Sequence, residues 1–140
     1  MQFFNFVIND IGVKIFIIVM VLDTIFGILR AIKERKLNSN IGIDGIIRKV
    51  GMIVSIIFFY LIDYETKLNF IGFIPKDTLQ LLPLEQVGVG LLFNILFIVF
   101  EILSVMKNMI KCKLPIPKKL QSFLEKILKE FTNELGEDKK

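Results

Sequence analysis

Two carboxylates interrupt long stretches of the chain that are rich in Ile, Leu, Val and Phe. Asp23 lies in the apolar run from residue 11 to 29, and Glu101 lies in the run from 87 to 106. A charged side chain near the centre of a bilayer is costly, by about 2.5–3.5 kcal/mol on insertion scales, so such residues usually face protein or a water-filled cavity. The two carboxylates therefore predict either buried helix interfaces or an aqueous path.

The neighbours of Asp23 at helical spacing favour a protein contact. Gly27, Arg30 and Ala31 follow it by four, seven and eight residues, which returns them to the same side of a helix. Gly27 and Ala31 also form a small-residue pair, a pattern that allows helices to approach closely in membranes. The alternative is a carboxylate that snorkels, or that pairs with a Lys or Arg from the following loop.

A second polar stripe follows the third apolar run at the same kind of spacing, with Phe97 completing it. Its members are Gly90, Asn94, Glu101, Ser104 and Asn108. Such a stripe on an apolar helix either seals a helix interface by hydrogen bonds or lines a pore. The interface is favoured for one protomer, and in an oligomer the same stripe could serve both purposes.

The composition excludes most other classes of function. Of the 140 residues, 54% are hydrophobic, and the mean hydropathy is +0.64, which is typical of a protein embedded in lipid. The chain has no histidine and a single cysteine, Cys112, so it offers neither an internal disulfide nor a multi-cysteine metal site. We therefore expect no enzyme activity, no cofactor, no metal site and no nucleic-acid binding.

The apolar runs predict an all-α membrane protein with three transmembrane helices. The predicted spans are residues 11–29, 46–62 and 87–106. A helix over the first of these rises about 28 Å, close to the roughly 30 Å of a hydrocarbon core. Between the first two spans, residues 38–45 have the composition of a turn, and Asp44 is expected to cap the second span. A loop on the membrane surface is expected over 64–86, with a short helix at 76–82.

The chain after the third span predicts a separate cytoplasmic element. From Lys118 to Leu135, apolar residues recur at helical spacing with Lys and Glu between them, which indicates an amphipathic helix. Residues 136–140 are a charged tail. The expected organisation is a transmembrane domain over 1–114 and the amphipathic helix with its tail over 115–140.

The distribution of basic residues predicts the orientation of the chain in the membrane. The first loop carries Arg30, Lys33, Arg35, Lys36, Arg48 and Lys49. Five lysines follow the third span, at 107, 111, 113, 118 and 119, whereas residues 64–86 contain two. Because basic flanks stay cytoplasmic, the N-terminus is expected outside and the C-terminus inside. No basic residue occurs in 1–12, so we expect no cleavable signal peptide.

Two blocks of residues resemble the phage-lysis and toxin-secretion holin family, over roughly residues 15–130. The first block is Leu22-Asp23-x-x-x-Gly27-x-x-Arg30-Ala31-Ile32, then Lys36-Leu-Asn-Ser39 and Gly45-x-x-Arg48-Lys49. The second block is Glu101-Ile-Leu-Ser104-x-x-x-Asn108, then Pro115-Ile-Pro117. The segment after Asn108 is more basic than the family pattern and lacks its usual glycine.

This resemblance implies a small inner-membrane protein that forms homo-oligomers and opens lesions in the lipid bilayer. Cytoplasmic endolysin, or in some loci a large toxin, then leaves the cell; this partner need not touch the holin. The alternative is a non-lytic channel or transporter subunit that uses Asp23 and Glu101 as proton or ion sites. A neighbouring endolysin gene favours the holin, and an ion-selective, non-lethal conductance favours the alternative.

Overall fold

A computed structural model describes residues 1–35, 39–79 and 86–134 of the chain. These residues form six helices and no strand, which confirms the all-α prediction. The helices are α1 (Gln2–Asn9), α2 (Ile11–Lys33), α3 (Ser39–Thr66), α4 (Lys76–Leu79), α5 (Val89–Lys111) and α6 (Lys118–Glu134).

Three of the helices are long and apolar enough to cross a membrane, as predicted. They are Ile11–Lys33, Gly42–Thr66 within α3, and Val89–Lys111. Only a small share of each is buried inside the described structure, so most of their apolar side chains point outward. This is the arrangement expected where the surroundings are lipid or other transmembrane helices.

The prediction of a turn over 38–45 is wrong for the residues that the structure describes. Helix α3 already begins at Ser39, and Asp44 is an exposed residue within the helix rather than its cap. Ser, Asn and Gly lower helix propensity by at most about 1 kcal/mol each, and adding one residue to an existing helix is easy compared with starting one. A long apolar helix can therefore extend through turn-like composition. Asn38 lies outside the described residues.

Helices α2 and α5 also continue beyond the apolar runs that define the predicted spans. Helix α2 ends at Lys33 rather than near 29, and α5 ends at Lys111 rather than near 106. Hydropathy marks the hydrocarbon core, whereas helical hydrogen bonds persist into the interface. The short helix expected at 76–82 is described over Lys76–Leu79, and residues 80–82 lie outside the described part of the chain.

The polypeptide leaves each long helix through a basic residue in the left-handed conformation. Arg35, Lys67 and Lys113 have φ values of 52°, 52° and 54°. At the end of α5, the Leu114 N–H donates to Met109 O at 3.1 Å and the Lys113 N–H donates to Ile110 O at 2.8 Å, which is a Schellman motif. Lys113 thus adopts the conformation for which glycine is usual after a helix.

The amphipathic helix is described as α6, Lys118–Glu134. The apolar residues of α6 differ in exposure: Leu124 is buried, whereas Leu120 and Phe123 are exposed. Leu135 and the predicted tail over 136–140 lie outside the described residues. The division into domains at residue 114 stays a prediction.

The chain divides into two compact units that do not follow this linear division. One unit contains Met1–Ile18 and Ser39–Ile98, and the other contains Val19–Asn38 and Val99–Lys140. Helices α2 and α5 contribute residues to both units. Aromatic side chains tie the first unit together, including a stack of Phe59 on Phe93 with ring centroids 4.0 Å apart.

Candidate functional site: two buried polar clusters

The first unit contains a buried polar cluster that we name the Tyr60 cluster: Asp10, Tyr60, Asp63, Gly90 and Asn94. The Tyr60 hydroxyl donates to Asp10 Oδ1 at 2.8 Å and accepts from Asn94 Nδ2 at 3.4 Å. Asp10 Oδ1 also accepts from the Val13 N–H at 3.0 Å, so Asp10 is the N-cap of α2. The cluster therefore joins α3 to α5 and to the start of α2.

Asp63 of α3 caps the N-terminus of α5 from another helix. Its Oδ1 accepts from the Val89 N–H at 2.9 Å, and its Oδ2 accepts from the Gly90 N–H at 2.7 Å. Helix α5 begins at Val89, and Gly88 before it has no side chain to supply a cap. The Asp63 carboxylate fills that role, and its negative charge lies at the positive end of the α5 dipole.

The same helices approach closely where Gly90 faces Tyr60. A Cβ atom on Gly90 would lie 2.6 Å from Tyr60 Cδ2, closer than atoms of a packed interior can come. Asn94, one turn further along α5, is 0% exposed, and its Oδ1 has no hydrogen-bond partner within the described structure. A cleft of about 540 Å³ is lined in part by Asp10, Tyr60 and Asp63.

The second unit contains the Asn108 cluster, which we define as Asp23, Gly27, Arg30 and Asn108. Asn108 Nδ2 donates to Asp23 Oδ1 at 3.0 Å, and Arg30 Nη1 donates to Asn108 Oδ1 at 3.3 Å. Asp23 is 4% exposed, and Asn108 is also buried. Asn108 of α5 thus connects an acidic and a basic residue of α2, which lie seven residues apart on one side of that helix.

The chemistry of the three groups fixes how the Asn108 amide is oriented. The Arg30 guanidinium can only donate hydrogen bonds, so it requires the oxygen of the Asn108 amide. The amide NH2 must therefore face Asp23 and the amide oxygen must face Arg30, as the hydrogen bonds assign them. Neither a carboxylate nor an apolar residue at position 108 could satisfy both neighbours.

Arg30 and Lys33, both in the last turn of α2, extend this network at the ends of α2 and α5. Arg30 Nε pairs with Glu34 Oε1 at 3.3 Å, and Lys33 Nζ donates to the carbonyl oxygen of Cys112 just beyond α5. Positive charge beside the last carbonyls of a helix is favourable. Of the other residues assigned to topology, Arg35 and Arg48 are exposed and Lys49 is partly exposed, while Lys36 lies outside the described residues.

The remaining predicted site residues differ in how closely they are packed. Glu101 is 1% exposed, whereas Ala31 and Ser104 are partly exposed. A Cβ atom on Gly27 would meet Asn108 Nδ2 at 3.8 Å, which is ordinary van der Waals contact. Within the protomer, Gly27 therefore makes an ordinary contact, and a close helix approach through Gly27 and Ala31 stays a prediction. Which of these residues seal an interface and which line a pore stays a prediction.

Sequence reasoning missed three members of the Tyr60 cluster: Asp10, Tyr60 and Asp63. The signal for Asp10 was available, because an Asp immediately before the first residue of an apolar helix is a typical N-cap. Tyr60 and Asp63 lie at the far end of the second span, where hydropathy treats polar residues only as the end of the membrane crossing. Their partners come from another helix, and spacing along one helix cannot reveal such pairs.

The arrangement of these groups suits holding helices together. Among the described residues, no group of three or more His, Cys, Asp or Glu side chains is placed to bind a metal ion. The carboxylates of Asp10 and Asp63 are engaged with backbone N–H groups, and the carboxylate of Asp23 accepts from an amide. Buried hydrogen bonds of this kind fix the relative rotation of transmembrane helices.

Comparison with known proteins identifies the family. Residues 3–129 match the model of the bacteriophage holin family. The chain is also 42% identical over 132 residues to the holin-like protein TcdE of Clostridioides difficile, which covers 94% of this chain and 80% of that protein. No solved structure matches the chain. The match confirms the resemblance carried by the blocks around Asp23 and Glu101, and the chain belongs to the bacteriophage holin family.

Proposed function

We propose that this holin assembles into homo-oligomers in the bacterial inner membrane and opens lesions through which a cytoplasmic protein leaves the cell. Its function as a holin follows from the family, and three apolar helices make it a multi-pass protein of the inner membrane. The finer proposal is that the released protein is an endolysin or a large toxin. That partner crosses the lesion without having to bind the holin, and the holin itself acts without catalysis.

The observation that carries the proposal is the contrast between the outside and the inside of the described helices. Exposed Ile, Leu, Val and Phe side chains cover α2, α3 and α5, whereas Asp23, Asp63, Asn94 and Asn108 are buried and Asp10 and Arg30 are partly buried. A protomer of this kind is stable in lipid, and its apolar exterior can also pack against other protomers. An aqueous lesion needs polar walls, so protomers must rotate or separate their helices to expose those buried groups.

Within this proposal, the predicted site residues act first as a helix interface. Asp23, Arg30 and Asn108 hold α2 against α5 in the closed protomer, and Asn94 belongs to the contact between α3 and α5. Glu101 has the same character because it is almost completely buried in an apolar helix. Lining of the lesion by these residues belongs to the open, oligomeric state.

Lysis assays test the proposal directly. The chain is expressed from an inducible promoter with a cytoplasmic endolysin, and culture turbidity and released enzyme are followed. We expect an abrupt fall in turbidity with release of the endolysin. Asp23→Leu and Glu101→Leu should insert well, because a charge leaves the span, but should change or abolish the time of lysis. Asp44→Leu is the matched control, since Asp44 is exposed in α3.

The two parts of the proposal fail separately in this experiment. A wild-type chain that never releases the endolysin would remove the lesion-forming role proposed for this chain. Normal release together with a wild-type schedule for both Leu variants would remove only the role of the two carboxylates. A non-lytic channel would instead give an ion-selective conductance in cells that survive.

The proposed orientation places the N-terminus outside and the C-terminus in the cytoplasm. The support is the density of basic residues in the first loop and after α5, because basic flanks remain cytoplasmic. Cys112 is the only cysteine in the chain, so one reagent reports one position. A membrane-impermeant thiol reagent added to intact cells should leave Cys112 unlabelled until the membrane opens. Prompt labelling before lysis contradicts this orientation.

A further inference from the structure

The segment from Lys107 to Leu124 carries charge of one sign only. It contains five lysines and no Asp or Glu, and the next acidic residue along the chain is Glu125. The segment includes the end of α5, the Schellman turn at Lys113 and the first turns of α6. Mutual repulsion among these lysines disfavours the arrangement unless negative charge from elsewhere lies nearby.

Large apolar side chains are exposed beside these lysines. Phe123 is 58% exposed, and Leu114 and Leu120 are also exposed, while Leu124 is buried. Lys119 lies four residues before Phe123 and Lys126 lies three residues after it, so all three share one side of α6. Both of these lysines are exposed. An exposed aromatic residue with lysines beside it suits a membrane interface, where the ring enters the acyl region and the lysine side chains reach the headgroups.

We propose that this surface docks onto the anionic phospholipid headgroups of the bilayer that α5 crosses. We name it the basic surface and define it as Leu114, Leu120 and Phe123 together with Lys113, Lys118, Lys119 and Lys126. The apolar side chains enter the boundary between headgroups and acyl chains, and the ammonium groups contact phosphate oxygens. Leu124, the next residue along α6, is buried and does not belong to this surface.

The length of the connection between α5 and α6 permits this docking. Helix α5 ends at Lys111 and α6 begins at Lys118, so six residues separate the two helices. Even a fully extended segment of this length spans only about 20 Å. The first turn of α6 is therefore confined to the neighbourhood of the membrane surface, where an anionic leaflet attracts lysine side chains.

Charge complementarity also argues for lipid rather than a second copy of the chain as the occupant. In a two-fold symmetric contact the same patch meets itself, so the lysines of the basic surface would lie close to the lysines of the other copy. Like charges brought together in this way oppose association. An anionic lipid surface presents the opposite charge at every position.

A tryptophan reporter tests the docking in the full-length protein, because the natural chain contains no tryptophan. Phe123→Trp is reconstituted at one protomer per nanodisc, in phosphatidylcholine alone or with increasing phosphatidylglycerol. We expect the emission to shift to the blue and to be quenched by brominated lipid as phosphatidylglycerol increases. Leu120→Trp provides a second reporter on the same surface in case the first variant does not fold.

Two matched charge variants identify the role of the lysines. Lys119→Gln/Lys126→Gln in the Phe123→Trp background should weaken the docking equilibrium roughly 25-fold, about fivefold for each lysine removed. The corresponding Arg variants should dock normally. Lys14→Gln/Lys67→Gln makes the same change of net charge at exposed lysines outside the basic surface, and it should leave the docking unchanged.

Three results would overturn the proposal. The first is equal burial of the reporter in pure phosphatidylcholine, because anionic headgroups would then be unnecessary. The second is burial that follows the number of protomers per disc rather than the lipid, which would assign the surface to a second copy of the chain. The third is a reporter that stays in water in every lipid. Each of these outcomes is independent of lysis, so it leaves the proposed function unaffected.

Discussion

The Tyr60 cluster combines side-chain hydrogen bonds with hydrogen bonds to backbone N–H groups, whereas Asn108 joins its cluster through side chains. In the Tyr60 cluster, the carboxylates of Asp10 and Asp63 accept from backbone N–H groups at the starts of α2 and α5. In the Asn108 cluster, the hydrogen bonds of Asn108 to Asp23 and Arg30 join side chains only. Side chains can exchange partners while the backbone stays helical, whereas losing a cap exposes a helix end.

This difference predicts which cluster rearranges when protomers assemble. Separating the groups of the Asn108 cluster requires only new partners for three side chains, which another protomer or water can supply. Opening the Tyr60 cluster leaves the first N–H groups of α5 unsatisfied, because their acceptor, Asp63, belongs to α3. We therefore expect disruption of the Tyr60 cluster to destabilise the fold, and disruption of the Asn108 cluster to change mainly the timing of lysis.

The largest expected effect comes from Asp63→Ala, which removes both hydrogen bonds that cap the N-terminus of α5. Hydrogen bonds to a charged group contribute about 1.5–3 kcal/mol each, so we expect a loss of about 3 kcal/mol in the free energy of unfolding. Thermal unfolding of the purified protein in detergent measures this loss. Glu65→Ala is the matched control, because it deletes an exposed carboxylate two residues away on α3. Equal melting temperatures for the two variants would show that the caps contribute nothing.

Asn108→Leu tests the other side of the comparison. It keeps the approximate volume of the side chain but removes the hydrogen bonds to Asp23 and Arg30. We expect about 2 kcal/mol of destabilisation from buried polar groups that lose a partner. We also expect a clear change in lysis time at unchanged protein level. Met109→Leu, a change of similar volume at the next residue of α5, should leave the time unaltered. A lower melting temperature for Asn108→Leu together with an unchanged time of lysis would show that the cluster has a structural role only.

The comparison also shows which features a sequence can and cannot reveal. The three spans were predictable because membrane crossing depends on apolar content summed over about 20 residues. The common face of Asp23 and Arg30 followed from helical spacing alone. Their link through Asn108 did not, since nothing in the sequence sets the relative rotation of α2 and α5. Asp63 was missed for the same reason, because its partners belong to a helix that begins 26 residues later, at Val89.

Two glycines sharpen the comparison because the same substitution should have opposite effects in the two clusters. Gly90→Ala places a Cβ atom 2.6 Å from Tyr60 Cδ2, so a helix must shift, and such overpacking costs about 1–3 kcal/mol. Gly27→Ala meets only an ordinary contact at 3.8 Å and replaces a flexible residue within α2. A gain of about 0.5–1 kcal/mol is therefore expected there. Melting temperatures of the two variants test this difference. A lower melting temperature for both would mean that α2 and α5 also meet tightly at Gly27.

The smallest expected effect concerns the basic residue that ends α5 beside the Asn108 cluster. Lys113 has a φ of 54°, a left-handed conformation that costs an L-residue about 1–2 kcal/mol and that glycine adopts freely. Lys113→Gly removes this strain but also removes a charge near the C-terminus of α5, which is worth about 0.3–1 kcal/mol. Lys113→Ala loses the same charge and keeps the strain, so the Gly variant should be more stable than the Ala variant by about 1 kcal/mol.

The stability difference between the Gly and Ala variants should have the opposite sign two residues earlier, at Lys111 within α5. There the backbone is helical, so Lys111→Ala should be more stable than Lys111→Gly by about 1 kcal/mol. The four variants form one series in which the loss of charge is shared at each position and only the backbone preference differs. A Gly variant less stable than Ala at both positions would show that Lys113 does not occupy the left-handed conformation in the membrane. The Schellman turn that leads α5 into the basic surface would then have to be replaced by continued helix.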